Sequence, residues 1–219
     1  DFGRYPRTPD ADAKGLRDHG CDALFLPEVG EIYPFGAAQG VCVHVPGLSD
    51  ALEGAARPGH FDGVASVVCR LFNLVQPDLA VFGSKDYQQL LVVRRMASDL
   101  GFPLEILGAP IVREANGLAM SSRNQYLDAA QREQAAIIHA TLRWMCERVR
   151  ASDMPLAEIE RKASTRLSEA GFLPDYAVLR NADYLSEPNE HVRSGLVALL
   201  AARLGPVRLI DNMACDPAV

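Results

Sequence analysis

The run from Val64 to Gly101 constrains the fold of this chain more than any other. Val64, Val67, Val68, Leu71, Phe72 and Val75 fall at i, i+3, i+4, i+7, i+8 and i+11, one continuous apolar stripe along a helix. Pro77 and Asp78 interrupt it, and Leu79-Ala80-Val81-Phe82 then reads as a short buried strand. Gly83 opens a turn, after which Leu90, Val93, Ala97 and Leu100 recur at helical spacing until Gly101 stops the helix. With a further strand predicted over 104–107, and Ile111 and Val112 closing the layer, this is the rhythm of a doubly wound α/β sheet. Such a sheet places Lys85, Asp86 and Gln89 at the carboxyl edge of its strands, where ligands bind. A helix N-terminus there offers unpaired N–H groups and a partial positive charge, and Lys85 adds a full one. The natural guest is an anion, although a solvated Lys–Asp pair on a βα turn has the same ten-residue signature.

Upstream, Asp10 can cap a short helix through Leu16 that ends at Gly20. Residues 23–26 (Ala-Leu-Phe-Leu) read as a buried strand stopped by Pro27, and 28–39 as a loop with Gly30, Pro34 and Gly36. Val41, Val43 and Val45 alternate with Cys42 and His44, which predicts another strand and makes His44 an ordinary strand histidine. Residues 52–61 form a loop rich in small residues that carries Glu53, Arg57 and His60.

Downstream, Asn116-Gly117 signals a turn, followed by Met120-Ser121-Ser122-Arg123. Two hydroxyls and a guanidinium in sequence can grip a polyanion, with the forked Arg donors supplemented by Ser and backbone N–H groups; a polar interdomain linker is the plainer reading of the same residues. Asp128 with Gln131 predicts a capping box opening a long helix to about residue 150, and Pro155 starts another closed by Gly171. Strand-like runs at 176–179, 196–201 and 207–210, the last two joined through Gly205-Pro206, predict a small antiparallel sheet. The expected division is 1–112 and 113–219, an α/β domain followed by a smaller α+β domain.

Composition narrows the function. A 219-residue chain that is 48% hydrophobic can bury a substantial core, and a net charge of −6 disfavours non-specific nucleic-acid binding. No apolar run reaches the length of a membrane span. Five dispersed cysteines with no CxxC pair, and scattered histidines, argue for a reducing compartment and against a disulfide framework or a protein-held metal site. The absence of GxGxxG weighs against a dinucleotide-dependent oxidoreductase. The opening Asp1-Phe2-Gly3, with no Met and no targeting signature, reads like the interior of a longer protein.

Taken in order, RYPRT, VPGLSDALEGAARPGHFDGV, LFNLVQPDLAVFGSKDYQQL, GLAMSSRNQYL and the terminal RLIDN resemble the pantothenate synthetase family, ATP-dependent ligases that join pantoate to β-alanine. The resemblance runs over 4–212. It implies a Rossmann-like nucleotidyltransferase fold whose parallel sheet is incomplete at its N-terminal side, then the smaller α+β domain, in a cytoplasmic homodimer acting on small molecules. It implies that Gly83 and Asp86 hold the ATP ribose, with Ser84 between them, that Lys85 contacts the phosphates, and that Gln89 orients pantoate. It further implies a backbone contact from Val112 to adenine and a β,γ-phosphate grip by Met120, Ser121, Ser122 and Arg123, with Lys85, Ser121, Ser122 and Arg123 as the catalytic set. Glu53 and Arg57 would border the site and the dimer contact. Magnesium is the implied phosphate counter-ion. Ser84 stands where the family often has Glu, and the family's HxGH and Asn-Pro-x-Gln segments are not in this sequence. The alternatives are therefore a truncated, catalytically inert dimerising fragment or, further off, another nucleotidyltransferase such as a cytidylyltransferase.

Overall fold

The computed structural model describes residues 7–216 and falls into two compact units, one up to Val41 and one from Cys42 onward. The residues from Arg4 to Pro6 of the RYPRT stretch lie outside the described residues.

The first unit contains α1 (Pro9–Asp18), α2 (Val29–Ile32) and a 3₁₀ turn at Ala37–Gln39. Pro9, already pre-set for helical φ, takes the first position of α1 with Thr8 as N-cap, so Asp10 lies inside the first turn and is not the cap. Residues 23–26 do not form the predicted buried strand: they are irregular and exposed, Leu26 at 75%. Among the described residues they have no ladder partner, and an apolar run without one is not a strand.

The second unit opens with 42–45, which again forms no strand. Serine side chains satisfy its backbone instead: Val43 N–H donates to Ser66 Oγ at 2.8 Å and Val45 N–H to Ser49 Oγ at 3.2 Å. Then come α3 (Glu53–Ala56), α4 (His60–Val75), β1 (Leu79–Gly83), α5 (Tyr87–Asp99) and β2 (Glu105–Ala109), with β1 and β2 paired in parallel from Leu79↔Glu105 to Gly83↔Ala109. The stripe on α4 is turned slightly from the predicted one. Phe61, Ala65, Val68 and Phe72 are buried, while Val75 is exposed. Phe72 meets Phe82 and Phe102 edge-on, at centroid distances of 6.3 and 5.6 Å, and this joins helix to sheet. Only one face of the sheet is covered within this unit. Ala80 and Phe82 pack into the core, whereas Leu79 and Val81 are 45% and 60% exposed, so β1 is not buried on both faces as its apolar run implied.

After β2 the chain turns back at Asn116-Gly117, where Gly117 adopts φ +94° and its N–H donates to Glu114 O. The predicted capping box is present in both directions, Gln131 N–H to Asp128 Oδ1 at 2.8 Å and Asp128 N–H to Gln131 Oε1 at 3.1 Å. The helix it starts is interrupted at Ala136, giving α6 (Ala129–Ala135) and α7 (Ile137–Ala151), followed by α8 (Leu156–Glu169). No Gly or Pro marks that break, and the sequence pattern runs straight across it. An antiparallel sheet in the order β3 (Leu173–Asn181), β4 (Leu196–Leu204), β5 (Val207–Ala214) completes the unit. Its hairpin turns through Gly205 at φ +55°. α7 and α8 pack on this sheet through Ile138, Leu142, Met145, Ile159 and Leu167 against Leu179, Leu200 and Leu209. The fold is thus α/β, with a parallel sheet and a separate antiparallel sheet.

Candidate active site

The turn leaving β1 forms one side of the candidate site. Gly83 closes the parallel ladder against Ala109, and Ser84 N–H donates to Ala109 O at 2.8 Å. Asp86 occupies the N-cap of α5 without a side-chain hydrogen bond to the helix, so its carboxylate does not consume the first-turn N–H groups. From β5, Asn212 Nδ2 donates to Ser84 O and to Lys85 O, each at 2.9 Å.

The segment ahead of α4, predicted as a loop over 52–61, contains the one-turn helix α3 and forms the second side, and one buried side chain organises it. Gln88, on the first turn of α5, accepts from Glu53 N–H at 3.1 Å and donates to Leu48 O at 2.7 Å and Ala51 O at 2.8 Å. These three bonds hold Leu52 at φ +45°, a backbone conformation that costs a non-glycine residue on the order of 1 kcal/mol or more. Gly54 has no alternative: a Cβ there would lie 1.9 Å from Ser49 O. Glu53 then reaches β5, where Arg208 forks onto it at 2.6 and 2.7 Å while Tyr176 Oη donates at 2.8 Å. Burial alone would raise the Glu53 carboxyl, but the hydrogen bonds from Arg208 and Tyr176 outweigh it and hold the group below the usual carboxylate range. Burial, and then the Glu53 charge, push the Tyr176 phenol upward. Arg57 Nη1 lies 3.2 Å from His60 Nε2, and burial followed by the Arg57 charge keeps His60 below its ordinary value.

β5 and the Ser122–Tyr126 3₁₀ turn complete the wall. Arg113 forks onto Asp211 at 2.6 and 3.1 Å. Ser121 Oγ accepts from Arg123 N–H at 3.2 Å and so starts the turn, which Asn124 anchors by donating to Glu114 and to Ala119 O.

These elements enclose a cleft of about 520 Å³, counted out to its open mouth. Arg57, His60, Lys85, Asp86, Gln89 and Arg123 line it, with Glu53, Tyr176, Asp211 and Asn212. Arg57, Lys85 and Arg123 are cationic side chains of the lining, and Asp86 is a lining carboxylate outside the Glu53–Arg208 and Asp211–Arg113 pairs. Burial lowers the Lys85 ammonium from its ordinary value, and the carboxylates of Asp86 and Asp211 counter that pull. A small cleft with several cationic side chains and a helix N-terminus suits a polyanion.

Of the residues singled out in the sequence, Glu53, Arg57, Lys85, Asp86, Gln89 and Arg123 come together at this cleft. Gly83 and Ser84 shape the turn. Val112 is 65% exposed, accepting at its carbonyl from Met120 N–H at 2.9 Å, and Met120, Ser121 and Ser122 stand beside the cleft wall and do not line it. His60, which stands alone in sequence, is a lining residue, and so are Tyr176, Asp211 and Asn212, to which the sequence assigned no site role. The signal for Asp211 and Asn212 was available: two polar residues continuing an apolar strand need buried partners.

The comparisons with known proteins agree with this geometry. A family model described as pantoate-beta-alanine ligase matches residues 1–214. The pantothenate synthetase of Xanthomonas euvesicatoria pv. vesicatoria (strain 85-10) is 59% identical over 213 residues, which cover 97% of this chain and 75% of that protein. A crystal structure of pantothenate synthetase from Thermus thermophilus superposes with a TM-score of 0.90 at 45% identity, covering 99% of this chain and 78% of that one. A pantoate-beta-alanine ligase from Francisella tularensis, solved with beta-gamma ATP and beta-alanine, gives a TM-score of 0.75 at 28% identity over 100% of this chain and 74% of its own. The chain belongs to the pantoate–β-alanine ligase family.

Proposed function

We propose that this ligase condenses pantoate with β-alanine by way of a pantoyl adenylate, releasing pyrophosphate and then AMP from ATP. The carrying observation is that Lys85 and Arg123, from two separate parts of the chain, line one cleft at the N-terminus of α5. In the first step a pantoate carboxylate oxygen bonds to the α-phosphorus and the bond to the β-phosphate bridging oxygen breaks. Two anions are brought together and charge builds on the leaving pyrophosphate, so cations fixed in advance are the main requirement. Lys85 and Arg123 supply them, with Ser121, Ser122 and Met120 on the loop that closes over the phosphates. Gly83, Ser84 and Asp86 take the ribose side, the Val112 backbone the adenine, and Gln89 the pantoate. In the second step the β-alanine amine attacks the acyl carbon, the acyl–phosphate C–O bond breaks and AMP leaves.

Magnesium fits this cleft as an ion carried by the nucleotide. Among the described residues no three His, Cys, Asp or Glu side chains are grouped to hold a metal, and Asp86 is the one cleft carboxylate outside the two arginine pairs. Bound there, Mg²⁺ would neutralise phosphate charge while keeping most of its water. The division into 1–112 and 113–219, a homodimer and a cytoplasmic setting belong to the same reading. Its test is ATP–pyrophosphate exchange in the presence of pantoate alone. Exchange that falls about a hundredfold or more in Lys85→Ala and Arg123→Ala supports the adenylate route. Exchange absent from the unsubstituted chain would favour the inert-fragment reading, and exchange with CTP in place of ATP the cytidylyltransferase one.

A further inference from the structure

We infer that Asn212 is a positioning residue that aims Lys85 into the phosphate-binding cleft from the opposite sheet. The inference rests on the phosphate role of Lys85 proposed above. The geometry behind it is specific. The Ser84 carbonyl belongs to the peptide plane entering Lys85 and the Lys85 carbonyl to the plane leaving it. Both accept from the same Asn212 amide at 2.9 Å. Two adjacent peptide planes fix the φ and ψ of the residue between them, and with them the direction of its Cα–Cβ bond. Ser84 N–H is tied in turn to Ala109 O at the end of β2, so the turn is held from both sides.

Asn212 is itself immobile. It is 5% exposed, pairs with Leu199 in the β4–β5 ladder, and follows Asp211, whose carboxylate is forked by Arg113 and accepts Asn212 N–H at 2.8 Å. Few side chains could replace it. A single amide nitrogen carries the two N–H donors used here; Asp has none, Ser has one, and Gln is longer by a methylene. β5 therefore does more than complete the small sheet: its penultimate polar pair, Asp211 and Asn212, transmits the position of the antiparallel sheet to the βα turn.

The test compares binding of ATP and AMP to the intact protein carrying Asn212→Asp, Asn212→Ser, Lys85→Ala and the Lys85→Ala/Asn212→Asp double substitution. Asn212→Asp preserves side-chain shape, and Asn212→Ser covers the case in which the buried carboxylate prevents folding. Each Asn212 variant is expected to bind ATP about tenfold more weakly while AMP changes less than about twofold. In the Lys85→Ala background the Asn212 substitution should add no further loss, because the two act as one unit. ATP and AMP weakened alike, or full additivity, would reduce Asn212 to a structural residue and overturn the inference. Lys85→Ala leaving ATP binding intact would instead remove the phosphate role of Lys85 itself.

Discussion

Arg208 and Glu53 stand 155 positions apart in sequence and close a forked ion pair at 2.6 and 2.7 Å, with their side chains 17% and 11% exposed. Tyr176 donates to the same carboxylate and Asp175 holds the Arg208 Nε at 2.6 Å, so each charge has its partners. Removing one side of such a pair leaves a largely buried charge uncompensated. Arg208→Met is expected to cost roughly 3 kcal/mol in urea unfolding. The Glu53 carboxyl is depressed in the folded state, so its contribution is complete above the ordinary carboxyl value of 4.5 and is lost as pH falls through the lower folded value. The stability gap between the unsubstituted protein and Glu53→Gln should therefore be full at neutral pH and close in acid. A gap indifferent to pH would contradict the assignment.

His60 and His44 should titrate on opposite sides of the ordinary value. Burial and Arg57 lower His60, whereas the hydrogen bond to Asp62 raises His44, whose Nδ1 lies 2.8 Å from that carboxylate. Histidine C–H resonances followed by NMR should give His44 the higher midpoint, and Arg57→Ala should move His60 upward without moving His44. The fold favours neutral His60, so its stability contribution is present above pH 6.5 and is lost as pH falls through the depressed value.

Gly54 tests whether the Glu53 loop is as tightly built as its contacts imply. A methyl at this position would have to displace the Ser49 carbonyl, so Gly54→Ala should destabilise the protein by about 1–3 kcal/mol and weaken ligand binding through Glu53, Arg57 and His60. Gly15→Ala in α1 meets nothing within 4 Å and should stabilise slightly, by up to about 1 kcal/mol. Thermal unfolding of the two variants decides it, and shifts of equal sign would argue against the loop packing.

The thiols report on the second core. Cys21 and Cys42 are exposed, whereas Cys146 and Cys215 are buried and in contact between α7 and the end of β5. Contact with Cys146 and burial both push the Cys215 thiol upward, which suppresses its reactive thiolate. A disulfide reagent should modify Cys21 and Cys42 in the native protein and reach Cys146 and Cys215 only after denaturation.

What could be read from the sequence was what is encoded locally. The Asp128–Gln131 box, the Gly205-Pro206 hairpin and the Gly83–Asp86 turn each combine a residue type with a short spacing, and all three are where their residues implied. The failures depend on partners. Apolar residues 23–26 could not reveal whether a neighbouring strand pairs with them, and the apolar alternation over 41–45 could not show that Ser49 and Ser66 would take the hydrogen bonds of a ladder. The site divides in the same way. Lys85, Asp86 and Gln89 sit within five residues of one another and could be read together. Tyr176 and Asn212 reach the cleft, and Arg208 the Glu53 that lines it, through pairings across more than a hundred residues, as in the bond from Tyr176 to Glu53.

The central claim is that Lys85 and Arg123 act on the same triphosphate. A crystal structure of the intact protein with a non-hydrolysable ATP analogue tests it most directly. The β- and γ-phosphates are expected between the Lys85 ammonium and the Arg123 guanidinium, at hydrogen-bond distance from both. A nucleotide bound elsewhere, or phosphates touching neither side chain, would contradict it.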